Sequence, residues 1–159
     1  MDTKEGTTIM EKSNYTGILK DEYVMLQQFY EDIDEKGLNI KNWSITVALA
    51  SIGAGLLYHK NVLLLTFAAS IMFWILEAYW RGLSYFFVVR IKNIEKAFAS
   101  GETEKEIPLQ VYSTWSEAFK TSKNQTLRYM FKFSSLLPHV PIAIISLLLY
   151  FFGANLMPK

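Results

Sequence analysis

The chain has no cysteine in 159 residues. That excludes disulfides, thiolate metal sites and a cysteine nucleophile, and it leaves the redox compartment open. Histidine is nearly as scarce, with only His59 and His139. No glycine-rich phosphate loop follows a strand, and neither an HExxH motif nor a catalytic pair of carboxylates occurs. The acidic pairs Glu31/Asp32 and Asp34/Glu35 read as a solvated helix face. An enzyme is not expected, and neither a cofactor nor a metal is called for. The formal net charge of +1 argues against a nucleic-acid binder.

The most informative absence is of charge over long stretches. Residues 43–58, 62–76 and 138–157 carry none. A bilayer span needs about 20 predominantly apolar residues, whereas a soluble helix alternates apolar and polar positions at three and four. The three runs therefore predict an all-α integral membrane protein with three transmembrane helices. Residues 1–42 hold nine acidic residues and five lysines with no apolar core, unlike a signal peptide, so the first span should act as an uncleaved anchor.

Lysine and arginine give the orientation. Residues 1–42 carry five and residues 81–133 carry nine, against Lys60 alone between the first two spans and Lys159 alone at the end. Positive charge stays inside. The expected location is the cytoplasmic (inner) membrane, multi-pass, with the N-terminus cytoplasmic and the C-terminus outside. The motifs at Asn14, Asn42 and Asn124 that fit a glycosylation pattern then lie on the wrong side and are read as chance matches.

The chain divides as follows. Residues 1–17 are expected to be flexible. Residues 18–38 form a cytoplasmic amphipathic helix, ended by Gly37 in a left-handed stop with Leu38 as its hydrophobic contact. Its stripe includes Tyr23, Leu26, Phe29 and Ile33. Because the rest of the helix is acidic and anionic lipid would repel it, this stripe is read as docking on protein. Residues 39–99 form a transmembrane hairpin with a long second helix that continues past the membrane. Gly101, a charged run and Pro108 break the chain. Within 100–133 a basic amphipathic helix from about Ser113 to Phe133 returns to the membrane. Residues 134–159 form the third span, with Ser134 and Ser135 as caps and Pro138 in the first turn.

In the first span Ser44, Ala48, Ser51 and Gly55 recur at four, three and four. Such a face allows close helix approach and serves either packing within the chain or an oligomer seam or pore lining. In the second span the two charges of residues 62–89 are Glu77 and Arg81, spaced to pair on one helix face. They are either an interfacial ion pair or an ion-handling site in a pore. Trp43, Trp74, Trp80 and Lys132 fit the belt that anchors helices at the membrane interface. His139 reads as a solvated interfacial histidine, with a proton-relay role as the alternative.

Residues 18–99, including "YEDIDEKGLNIKNWSITVALASIGAGL" and "FWILEAYWRGLSYFFVVRIKNIEKAF", resemble the SLATT-type small bacterial transmembrane effectors of antiviral defence modules. The shared features are an N-terminal helix, a short two-span hairpin and a long emerging helix. This chain departs from them in having a third span and no sensor domain. The resemblance implies a homo-oligomeric effector that opens a pore or perturbs the lipid bilayer when a partner signals. The alternatives are a non-conducting adaptor that docks a cytoplasmic protein partner, or a small channel or transporter subunit.

The topology is directly testable. A reporter active only in the cytoplasm should work when fused after Ser100 and fail when fused after Lys159. The opposite pattern would mean a reversed orientation or a third run that does not cross.

Overall fold

In a computed structural model of the chain, residues 2–122 and 124–153 are described, with side chains from Asn14 onward. Among the described residues all regular structure is helical: α1 (Asp2–Leu57), α2 (Asn61–Ser100), a 3-10 turn (Thr103–Lys105), α3 (Val111–Thr121), α4 (Gln125–Met130), α5 (Phe133–Leu136) and α6 (His139–Phe152). Three stretches are long and apolar enough to cross a membrane: Asn14–Leu57, Asn61–Ser100 and Phe133–Phe152.

Two boundaries differ from those expected. Gly37 does not stop the first helix, and the backbone of residues 2–17 is helical as well, so α1 runs unbroken to Leu57. A single glycine costs a helix only about 1 kcal/mol, and no proline occurs before Pro108. The left-handed glycine stop falls at Gly101 instead, with φ of 71°. There the amide of Glu102 bonds the carbonyl of Ala97 and that of Gly101 bonds Phe98, the Schellman pattern that closes α2. The single basic helix expected over 113–133 is three pieces, α3, α4 and α5. Ser122 and Asn124 have non-helical backbone at the first break.

The third span also starts differently. Pro138 is the N-cap of α6 after a cis Leu137–Pro138 bond, and no side chain caps the helix. Ser135 is instead fully buried, and its hydroxyl has no hydrogen-bond partner. The expected extension of this span toward Met157 lies outside the described residues.

The chain forms two compact units, each drawing on both long helices. The first comprises Met1–Ile33 and Leu83–Lys123. Its core is apolar: Leu19 and Leu26 of α1 meet Ile91 and Ile94 of α2, flanked by Tyr23, Phe87 and Val111. Beside that core lies a buried arginine. The Arg90 guanidinium, 2% exposed, grips Glu22 through Nε at 2.8 Å and Nη2 at 3.1 Å. It also bonds Glu106 and, at 2.8 Å, the carbonyl of Ile107. Glu22 accepts a further bond from the amide of Leu109 at 2.8 Å. Leu109 has a φ of 61°, a strained conformation for a leucine. The Glu22 carboxylate thus helps hold the loop after α2 in place.

The second unit comprises Asp34–Gly82 and Asn124–Lys159, and its polarity is inverted. Its buried side chains include Ser44, Thr66, Ser70, Glu77, His139 and Ser146, while Leu49, Leu65, Met72 and Phe151 are all more than half exposed. Each buried hydroxyl of this seam except Ser44 bonds a backbone carbonyl: Thr66 to Val62 at 2.9 Å, Ser70 to His139 at 2.7 Å and Ser146 to Ala143 at 2.9 Å. An apolar exterior over a polar seam whose hydroxyls at Ser44, Thr66, Ser70 and Ser146 are all bonded suits a lipid surround, where helices gain nothing from hiding leucine. At the hairpin end Leu63 is seated where Gly55 lacks a side chain; a Cβ there would stand 2.7 Å from Leu63 Cδ2.

Arg90 supplies a stability test for the first unit. Arg90→Met strands the buried Glu22 and should cost about 3 kcal/mol, read as loss of thermal stability in detergent. Adding Glu22→Leu should restore part of the loss, because the fully buried carboxylate is then gone and only the partly exposed Glu106 is left without its partner. A neutral Arg90→Met would refute this account.

Candidate functional site

Three helices of the second unit converge on one carboxylate. Glu77 projects from α2 and is fully buried. Its Oε1 accepts from Arg81 Nε, one turn on, at 2.6 Å, and lies 3.3 Å from Lys41 Nζ of α1. Its Oε2 is 2.9 Å from Nε2 of His139 on α6. The other imidazole nitrogen, Nδ1, is 2.9 Å from the Ser44 hydroxyl of α1. In a neutral ring one nitrogen donates and the other accepts. A carboxylate at Nε2 can only accept, so in the neutral ring Nε2 carries the proton and Ser44 donates to Nδ1.

The cations are held in turn. Arg81 Nη1 reaches Asp34 at 3.2 Å, and Lys41 donates to the carbonyl of Ser134. Gly37 faces the Arg81 guanidinium, with which a Cβ would make ordinary contact at 3.9 Å. With a neutral imidazole, Lys41 and Arg81 balance Glu77 and Asp34, so the cluster carries no net charge. That balance is what allows charged groups to sit in an apolar span, where an isolated one costs about 2.5–3.5 kcal/mol even on insertion scales.

The order Ser44, His139, Glu77 is that of a hydrolase relay. Ser44 is only 2% exposed, however, and lies mid-helix in α1, where neighbouring amides are committed to the helix. The gap beside it, lined by Ala48, Thr66, Ser70 and Phe73 among others, has no room for a water molecule. The arrangement joins helices. Among the described residues, no group of three or more His, Asp or Glu could hold a metal ion.

The sequence-derived candidates fall out as follows. Glu77 and Arg81 pair, within a larger cluster. Ser44, Ala48 and Gly55 are buried within the chain, whereas Ser51 is half-buried and bonds the carbonyl of Val47. Trp43 is 66% exposed. The Trp74 indole donates to the carbonyl of Met130 at 3.1 Å. Lys36 lies 5.3 Å from the centre of the Trp80 ring, and Lys132 lies 3.7 Å from that of Tyr129. In the first unit Leu26 is committed to the core, and the Tyr23 hydroxyl donates to Glu95 at 3.1 Å. Phe29 stays exposed beside Phe87, and Ile33 is half-buried.

His139 departs from its expected solvated state: it is 1% exposed and central to the site. Lys41 was not singled out either. One signal for His139 was available. It is four and seven residues from Ala143 and Ser146, the small inward face of α6.

Comparison with known protein families, curated proteins and solved structures finds no match to the chain. The chemistry of the site therefore rests on its own geometry.

That geometry ranks three substitutions. Glu77→Gln leaves Lys41 and Arg81 without their shared anion and should cost the most, about 3 kcal/mol. Ser44→Ala removes one buried hydrogen bond and should cost about 1 kcal/mol. His139→Leu should fall between them. Thermal unfolding in detergent measures all three, and Ser44→Ala proving the worst would contradict the assigned roles.

Proposed function

We propose that the protein is a self-associating effector of the cytoplasmic membrane that opens a pore or perturbs the bilayer, with its N-terminus cytoplasmic and its C-terminus outside. One observation carries the reading: at the centre of the spanning unit Glu77, Lys41, Arg81 and His139 form a buried cluster of ion pairs and hydrogen bonds. Buried ion pairs stabilise less than well-packed apolar residues, and a switch is among their best-attested uses. In this reading the resting state is sealed. Opening the joint between Ser44, Glu77 and His139 frees a carboxylate and a file of hydroxyls to line a path, and a carboxylate there draws cations. Copies associate through outward apolar faces, because Ser44, Ala48 and Gly55 are used within the chain. The resemblance to SLATT-type effectors fits a trigger delivered by a partner.

A second reading, a non-conducting adaptor, is favoured by the aromatic ladder on α3. Tyr112 is 78% exposed and stacks on Trp115 at 6.3 Å, which stacks on Phe119 at 5.2 Å. Such a face suits a docked protein.

Ion flux through vesicles separates the two. Wild type should leak little at rest. His139→Leu should raise the leak, and adding Glu77→Gln should lower its cation preference. If the variants insert and fold yet pass no ions, the pore reading fails and the adaptor stands.

A further inference from the structure

The segment 124–137, which contains α4 and α5, lies within the second unit and is pinned from behind. Trp74 holds the carbonyl of Met130 and meets Phe131 edge-on at 6.4 Å. Lys41 holds the carbonyl of Ser134. At Gly82 a Cβ would stand 3.1 Å from the Thr126 hydroxyl and 3.3 Å from its Cα, so glycine lets α4 close onto α2. This places the segment at the level of Arg81, where the second span meets its first charges.

What the segment turns outward alternates between apolar and basic. Leu127 is 54% exposed, Phe131 71% and Phe133 77%, with Arg128 and Lys132 interleaved. Among the described residues neither cation has an acidic partner in an ion pair. No Asp or Glu occurs anywhere from residue 118 to 159. Bare aromatics of this size facing water would form a sticky patch. Two cations without carboxylate partners beside them, Lys132 resting on the Tyr129 ring, call for anions at the same depth.

We infer that this segment is a seat for anionic phospholipid. Phe131, Phe133 and Leu127 lie among the upper acyl chains, and Arg128 and Lys132 meet the phosphates. Arginine offers a two-pronged donor and lysine a point charge on a flexible stem. The seat holds the break between α4 and α5 at the interface and so fixes where α6 enters the bilayer. The inference rests on the membrane placement proposed above, but not on conduction.

Because the chain has no cysteine, Ser134→Cys gives a single labelling site at an exposed position, and the backbone carbonyl bonded by Lys41 is retained. The full chain, labelled there with a fluorophore, is reconstituted in phosphatidylcholine vesicles with and without phosphatidylglycerol. Spin-labelled phosphatidylglycerol should quench the fluorophore more than spin-labelled phosphatidylcholine, and added salt should narrow the difference. Arg128→Gln and Lys132→Gln should each remove about fivefold of local enrichment. Equal quenching by the two lipids, or a preference that survives both substitutions, overturns the seat. Protease protection of the spans is read in parallel. Loss of protection would defeat the membrane placement itself, whereas intact protection without lipid preference defeats the seat alone.

Discussion

The second unit depends on how Glu77 is kept ionised and buried at once. A carboxylate removed from water must find donors for both oxygens, and here the donors come from three helices. Arg81 is local, Lys41 comes from α1 and His139 from α6. Satisfying one side chain therefore fixes the relative rotation of all three spans. The exposed leucine, methionine and phenylalanine on the outside offer no polar group that would fix that rotation.

The two units solve opposite problems with the same two helices. In the first, Leu19, Leu26, Ile91 and Ile94 make an apolar core, and the buried Arg90–Glu22 pair ties down a loop. In the second, hydroxyls and one charged cluster share the interior with Leu63 and small alanines, while Leu49, Leu65, Met72 and Phe151 face out. The change of rule falls near Ile33 on α1 and Gly82 on α2. It tracks the sequence closely: α2 has only Glu77 and Arg81 as charged residues before Arg90, and four more from Arg90 to its end.

The apolar runs made the spans legible, because length without charge is a signal that survives any detail of packing. The Glu77–Arg81 pair was legible for a similar reason, since spacing of four on a helix leaves few other arrangements. Helix ends were less so. Gly37 carries the chemistry of a stop, but a stop also needs the chain to turn, and here both sides of the glycine belong to one continuous helix. Gly101 has the same chemistry and does terminate one. The buried charges of the first unit were missed because acidic residues on α1 were read as a solvated face. Glu22 lies three residues from Leu19 and four from Leu26, so it sits on the buried stripe, as Arg90 does relative to Ile94. His139 is not legible in this way, because its distance to the end of an apolar run says nothing of which way its helix turns, and its partners lie 62 and 95 residues away.

The contact of Leu63 with Gly55 has a consequence for how this sequence can vary in length. The two helices are joined by only Tyr58, His59 and Lys60, and that contact sets their register at the hairpin end. Register then carries down the pair to Ser44 and Glu77, which must present themselves to the same imidazole. Adding or removing one residue in the connection would turn one helix by about 100° against the other and slide it by about 1.5 Å. Such a shift would point either the serine or the carboxylate away from His139. Related chains with the same joint should therefore keep this connection at constant length while its residue identities drift. Changes of length should collect elsewhere, in connections that do not set α1 against α2.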